Sequence, residues 1–277
     1  MRIALRTSAM PLTLAAMSAL GLYGQTKPDT GKLVSSLSGN WKEDQSQRKL
    51  GSAGGLHFRT TASGGLEELR GPEARPMVQS VKLDGKSYDM EGGNSMIWKQ
   101  IDANSFERRT ALKGKLLSVR RIRISNDGKT LLEESERHAM DGRVMKATAD
   151  FSRTSGDAQG LAGKWQLVKV RNSEPLEVKY EAAGPNAMKV TGGLGQSYTL
   201  AFGKTSAITG PNVVPGMTIA AAAVDDHTIE TTTTREGVTA AKARIVLSDG
   251  GKVMTVTTTP AGADSSRRPS VIVYKKQ

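Results

Sequence analysis

Ile101-Asp102-Ala103-Asn104-Ser105-Phe106-Glu107 and Val224-Asp225-Asp226-His227-Thr228-Ile229-Glu230 open two stretches that align without a gap, the first running to Glu136 and the second to Thr259. Within them Gly114 falls on Gly237, Arg121 on Arg244, Ile122 on Ile245 and Ile124 on Leu247. Ser125-Asn126-Asp127-Gly128-Lys129 falls on Ser248-Asp249-Gly250-Gly251-Lys252, and a Gly-x-Trp precedes each stretch, as Gly39-Asn40-Trp41 and Gly163-Lys164-Trp165. Repetition of this length fixes the architecture before any single residue is read: one folding unit occurs twice in tandem.

The periodicity inside the unit is two. Ala241, Ala243, Ile245 and Leu247 alternate with Lys242, Arg244, Val246 and Ser248, which places apolar side chains on one face of a strand and mostly polar ones on the other. Asn126-Asp127-Gly128 and Asp249-Gly250-Gly251 accept positive φ and predict hairpins, as do Lys113-Gly114-Lys115 and Glu236-Gly237-Val238. Asp84-Gly85-Lys86 and Phe202-Gly203-Lys204 mark a further hairpin in each copy. In the first copy the strands fall at 38–43, 55–60, 65–69, 76–83, 86–91, 95–102, 104–113, 116–125, 130–137 and 142–152. The expected fold is all-β, two tandem antiparallel meander barrels of about eight strands each, because closure removes unpaired edges; a β-sandwich is the alternative.

Composition sets the boundaries. Arg2 and Arg6 precede an uncharged, mostly apolar run from Thr7 to Leu22, so residues 1–24 read as a secretory signal peptide and the protein as exported, periplasmic or extracellular. No later run approaches the roughly 20 apolar residues of a spanning helix, so the mature chain is expected to hold no transmembrane segment. Residues 25–36 read as a flexible polar leader, 37–152 as the first barrel repeat, 153–160 as a small, polar linker and 161–277 as the second repeat. No amphipathic helix is expected after the signal.

There is no cysteine, which excludes disulfides and thiolate metal sites. The formal charge of +12 is spread along the chain and favours anionic partners weakly, an anionic envelope polymer among them. Nucleic-acid binding would want basic residues interleaved with exposed aromatics, and neither repeat has those aromatics.

Candidate chemistry is sparse. His57, His138 and His227 lie at no metal-ligand spacing, and His227 falls on Asn104 at a predicted turn, as an exchangeable turn residue would. No Gly-x-Ser-x-Gly elbow occurs, and Gly192-Gly193-Leu194-Gly195 lacks the lysine of a phosphate loop and reads as a hairpin loop. Glu133, Glu134 and Glu136 face Arg120, Arg121 and Arg123 across a hairpin; the plain reading is a solvated charged face, the sharper one an anion contact at Arg120, Arg121 and Arg123. No catalytic residue, metal or cofactor is assigned.

Gly39-Asn40-Trp41 and Gly163-Lys164-Trp165, each after a Leu-Ser or Leu-Ala pair, resemble the opening motif of lipocalins and their calycin relatives. With Asp-Gly-Lys and Ser-x-Asp-Gly-Lys-x-Leu before later strands, the mature chain resembles small exported lipocalin-like proteins of bacteria. The resemblance implies that Gly39, Trp41, Gly163 and Trp165 build barrel ends, each tryptophan under a basic side chain from the last strands. Arg153 and Lys275 or Lys276 stand nearest that place. It departs from the family in its short repeats and in lacking a terminal helix.

Three classes of function follow. The leading one is a non-enzymatic carrier of a small apolar or amphipathic ligand, which requires an open interior. The second is an envelope interaction protein with solid-packed barrels and a basic surface. An enzyme would need converging polar groups inside a barrel.

Overall fold

The structure is a computed structural model, and it describes residues 28–51, 55–70, 76–90, 93–139, 142–156, 159–171, 174–193, 195–210, 213–261 and 268–277. Residues 1–24, read as a signal peptide, lie outside them. Among the described residues no helix is long and apolar enough to cross a membrane.

Among the described residues one helix, α1 (Thr30–Leu37), precedes β1 (Gly39–Glu43). Then follow β2 (Gly55–Thr60), β3 (Leu66–Arg70), β4 (Met77–Val81), β5 (Asp84–Asp89), β6 (Asn94–Gln100), β7 (Ser105–Leu112), β8 (Lys115–Ile124), β9 (Thr130–His138), β10 (Val144–Ser155) and β11 (Gly163–Arg171). The remainder forms β12 (Glu177–Ala182), β13 (Ala187–Gly192), β14 (Ser197–Ala201), β15 (Thr205–Ala207), β16 (Met217–Asp225), β17 (Thr228–Arg235), β18 (Val238–Ser248), β19 (Val253–Pro260) and β20 (Ser270–Lys276).

The chain is all-β, as expected, and its two antiparallel sheets form one nearly closed barrel and one half-barrel, each of ten strands where about eight were expected. One runs β4-β3-β2-β11-β10-β9-β8-β7-β6-β5, the other β14-β13-β12-β1-β20-β19-β18-β17-β16-β15. The second is nearly closed: Ser197 and Thr209 exchange backbone hydrogen bonds of 2.8 Å, and the Gly203 amide donates to the Ala221 carbonyl at 2.9 Å. The first is a half-barrel. Its free edges are β4 and β5, so Asp84-Gly85-Lys86 is not a hairpin; the chain there leaves one edge of the sheet and starts the other, with Gly85 at φ 76° redirecting it. Lys113-Gly114 and Glu236-Gly237 do form two-residue hairpins, with φ of 48° and 79° in the first and 48° and 82° in the second.

The sheets do not divide the chain where the repeats do. β1 pairs with β12 and β20, Trp41 lying across from Val178 and Lys276. β11 pairs with β2 and β10, Trp165 lying across from Leu56 and Arg153. The opening strand of each repeat therefore completes the sheet of the other. The segment 153–160, read as a linker, runs instead from β10 into the hairpin partner β11, and the passage between sheets follows β11.

A second departure is α1, in a segment expected to be a flexible leader. Asp29 caps it, its carboxylate accepting from the Lys32 amide at 3.0 Å, and Leu33, Val34 and Leu37 bury one face. That face belongs to the core of the second sheet, with Trp41, Met188, Leu200, Ile229 and Met254. The core of the half-barrel is built on Phe58, Trp98, Phe106, Ile122, Leu131 and Trp165. Fully burying aliphatic or aromatic side chains of this size is worth about 1.5–3 kcal/mol each.

Candidate functional site

Strand alternation gives each sheet an inward face, and both inward faces are built alike. One end is sealed by tryptophan. The Trp41 indole N–H donates to the Leu37 carbonyl at 2.7 Å, and the Trp165 indole to the Leu161 carbonyl at 2.9 Å. Gly39 and Gly163 both sit at φ 131°, a region open to glycine, which turns the chain tightly into the strand. Lys276 lies over the Trp41 ring with its ammonium 5.5 Å from the centroid, and Arg153 lies over Trp165 at 3.9 Å. Such contacts contribute about 0.5–2 kcal/mol. Lys275, the other candidate, pairs with Asp44 at 2.9 Å.

Beyond the seal the two interiors diverge. Ile122 and Ile124 in one sheet, and Ile245 and Leu247 in the other, fill the sealed end with apolar groups. Further along, the nearly closed barrel leaves a cavity of about 250 Å³ whose wall includes Thr231, Thr233, Thr258, Ala241 and Ala243, with Tyr180, Tyr198 and Tyr274. Burial pushes the Tyr198 and Tyr274 hydroxyls up to about 12 and Tyr180 well above its ordinary value, so all three stay neutral. The stretch Ala220–Ala223 does not line this space.

The half-barrel carries charges at the same depth. Arg108 reaches Glu68 through two hydrogen bonds of 2.8 and 2.9 Å, with the two side chains 5% and 4% exposed. Arg120 contacts Glu133 at 3.2 Å. Burial lowers the pKa of Arg70 and of Arg137; Glu68 works the other way on Arg70, Glu133 on Arg137, and Arg120 adds to the lowering of both. Arg108 is pulled down to about 10, first by burial and then by Arg120, against the pull of Glu68. Burial alone would raise Glu68, yet Arg108, Arg70 and Arg120 outweigh it and hold the carboxyl below its ordinary range.

Arg120, Arg121 and Arg123 therefore do not converge. Arg120 points inward with Ile122 and Ile124; Arg121 points outward, half exposed, to Glu107 at 3.5 Å and Glu136 at 3.3 Å, and Arg123 is exposed on that outer face. The solvated-face reading holds for Arg121 and Glu136 and fails for Arg120 and Glu133, whose carboxylate is buried. Arg70, Arg108, Arg137 and Glu68 were not singled out from sequence. Parity was the available signal: Arg108 shares a face with Phe106, and Glu68 with Leu66.

Next to Arg120 and Arg137 a cavity of about 470 Å³ opens between the sheets, its wall continued by Leu56, Ala147, Ala149, Phe151, Leu167, Val170 and Leu176 and by Ser270 and Ile272 of β20. Met145 and Leu176 line this cavity and the smaller one alike, so the two interiors adjoin. Glu43 fixes the strands that cross here: its buried carboxylate accepts from the Leu176 amide at 2.9 Å and from the Arg48 guanidinium. His227 sits in a turn with its amide donating to Asp225 at 2.8 Å, as Asn104 donates to Asp102 at 2.9 Å, so the two are interchangeable turn residues. The Gly192–Gly195 stretch joins β13 to β14, Gly195 donating to the Gly192 carbonyl at 2.8 Å.

No family model, no curated protein and no solved structure matches this chain.

Proposed function

We propose that this protein is an exported, lipocalin-like, non-enzymatic binding protein that carries a small amphipathic ligand in the space between its two sheets. The observation that carries the reading is the 470 Å³ cavity, apolar over Leu56, Phe151, Leu167 and Val170 and charged at Arg120, Arg137, Glu133 and Glu174 and at Arg48, Lys49 and Lys146. Its volume falls in the range of small-molecule sites, and its division into an apolar wall and a few placed polar groups is how such sites fix orientation. A solid-packed spacer would have no use for that space. Export rests on the leader of residues 1–24, and the lipocalin-like reading on the paired Gly-x-Trp seals.

Native mass spectrometry of the mature protein, taken from the exported fraction of the cell that makes it, tests the reading. A stoichiometric adduct released on denaturation supports carriage and gives the ligand's mass. A clean apo mass, together with no uptake of amphiphiles added in solution, overturns it and favours an envelope interaction protein.

A further inference from the structure

The two interiors are copies of one design, and the copy without charges shows what the fold itself requires. Register and the gapless repeat place Arg108 on Thr231, Arg120 on Ala243, Glu133 on Val256 and Arg137 on Pro260. The strand pairing from Gly163 to Phe58 to Glu68, set against Gly39 to Tyr180 to Val190, places Glu68 on Val190 and Arg70 on Gly192. All six charges of the half-barrel are thus neutral in its sister, which nonetheless closes further. Buried charges carry a desolvation penalty, and a fold that forms without them gains nothing by keeping them. Their role lies elsewhere.

The balance of the cluster gives its sign. Arg70, Arg108, Arg120 and Arg137 stand against Glu68 and Glu133, and guanidinium groups keep their charge at neutral pH. Arg108 and Arg120 spend their charge on the two glutamates. Arg70 and Arg137 form no ion pair within 4 Å among the described residues, and the Nε of both Arg108 and Arg120 is buried without a hydrogen-bond partner. Of Arg70 and Arg137, Arg137 lines the cavity, beside Arg120, Arg48, Lys49 and Lys146 and against Glu133 and Glu174, so positive charge is in excess along its wall.

We infer that the half-barrel selects an amphiphile with a single anionic head, a carboxylate or a phosphate, seated on Arg120 and Arg137 with its apolar body against Leu56, Phe151, Leu167, Val170 and Leu176. This rests on the cavity reading above and adds the charge of the ligand. Arginine suits the task because its planar fork meets either oxyanion in two parallel hydrogen bonds. The sister interior, with threonine, alanine and tyrosine at the same depth, holds no such head group.

The test is isothermal titration of the mature chain with dodecanoate and dodecyl phosphate below their micelle concentrations and dodecan-1-ol below its solubility limit. The expected result is that one or both anions bind about tenfold or more tightly than the alcohol. Arg137→Met, which breaks no ion pair, should remove that preference and leave the alcohol unchanged. The paired Arg120→Ala, Glu133→Val chain, which copies Ala243 and Val256, should do the same without leaving a buried charge alone. Near-UV circular dichroism confirms that each variant is folded. Carboxylate favoured over phosphate, or the reverse, names the source. Equal binding of alcohol and anions, unmoved by Arg137→Met, overturns the anion inference and leaves the cavity reading standing. Binding of none of the three by wild type overturns both, and Ala149→Trp, which fills the cavity, should abolish whatever binding wild type shows.

Discussion

Trp41 lies under Lys276, so the first strand of the chain is held by the last, and both belong to the sheet formed mainly by the second repeat. Trp165 lies under Arg153 in the sheet formed mainly by the first. Because each repeat opens with the same Gly-x-Trp, either opening strand carries the side chains that either sheet needs. The exchange replaces one interface by another of the same chemistry and ties the two sheets together twice, through the segment after β1 and the segment after β11. A cavity between the sheets is thereby walled by both and depends on their union.

A backbone cut between Arg153 and Gly160 should therefore leave two fragments that remain associated. Each would hold the strand that completes the other's sheet, β1 in the longer fragment and β11 in the shorter. Size-exclusion chromatography of the nicked chain should show one species at the intact mass under native conditions and two after denaturation. Two separately folded halves eluting apart would mean that the strands had not been exchanged.

Trp41→Ala should destabilise the sheet of β12–β20 by about 3–5 kcal/mol, although Trp41 belongs to the first repeat by sequence. Its ring is 1% exposed and carries the indole bond to Leu37. Trp98 and Trp165 both lie in the half-barrel, so the fluorescence of this variant follows the other sheet alone. Denaturation should show far-UV ellipticity lost earlier than that fluorescence. Coincident transitions at the wild-type midpoint would contradict the assignment of Trp41 to the second sheet.

Much of this was legible in the sequence, for identifiable reasons. The repeat from Ile101 and Val224 gave the duplication, and turn residues such as Lys113-Gly114 gave strand ends. The resemblance to lipocalins implied a cation over each tryptophan, and position narrowed it to Arg153 and to Lys275 or Lys276. Strand exchange was not legible, because Trp41 and Trp165 are interchangeable as sequence and only pairing distinguishes them. The helix α1 escaped because two turns are too short for periodicity, although Asp29 followed by Leu33 and Leu37 was its signature. The interior charges escaped because Arg120-Arg121-Arg123 was read as one cluster, whereas alternation sends Arg120 to the side of Ile122. Whether Asp84-Gly85 closes a hairpin or crosses a gap depends on long-range pairing that no local window contains.

Gly163→Ala should cost more than Gly39→Ala, though the two glycines share φ 131° and the same motif. A Cβ at Gly163 would lie 2.3 Å from the Ser155 carbonyl oxygen, which is backbone and cannot step aside. At Gly39 it would meet the Lys276 Cε at 3.0 Å, the flexible end of a side chain. Backbone strain at such a φ costs about 1–3 kcal/mol in either case. Thermal unfolding should order the chains as wild type, Gly39→Ala, Gly163→Ala in falling stability; equal losses would mean that φ alone decides.

The buried pair Glu68–Arg108 should impose a pH dependence that its sister position lacks. Glu68 has its folded pKa below the ordinary 4.5, burial opposing and Arg108, Arg70 and Arg120 prevailing. On acidification the unfolded chain takes up this proton first, so the stabilisation is fully present above about 4.5 and is lost as pH falls through the lower folded value. Glu68→Gln leaves Arg108 without its counter-charge and should lose about 3–5 kcal/mol at neutral pH. The loss relative to wild type should shrink below pH 4.5, where wild type also forfeits the charge. Replacing both partners by the sister residues, Glu68→Val with Arg108→Thr, should recover most of the deficit, because no buried charge is then left alone. Urea unfolding at neutral and acid pH measures all three chains; a double variant no better than Glu68→Gln would mean that the pair holds the half-barrel together rather than serving its interior.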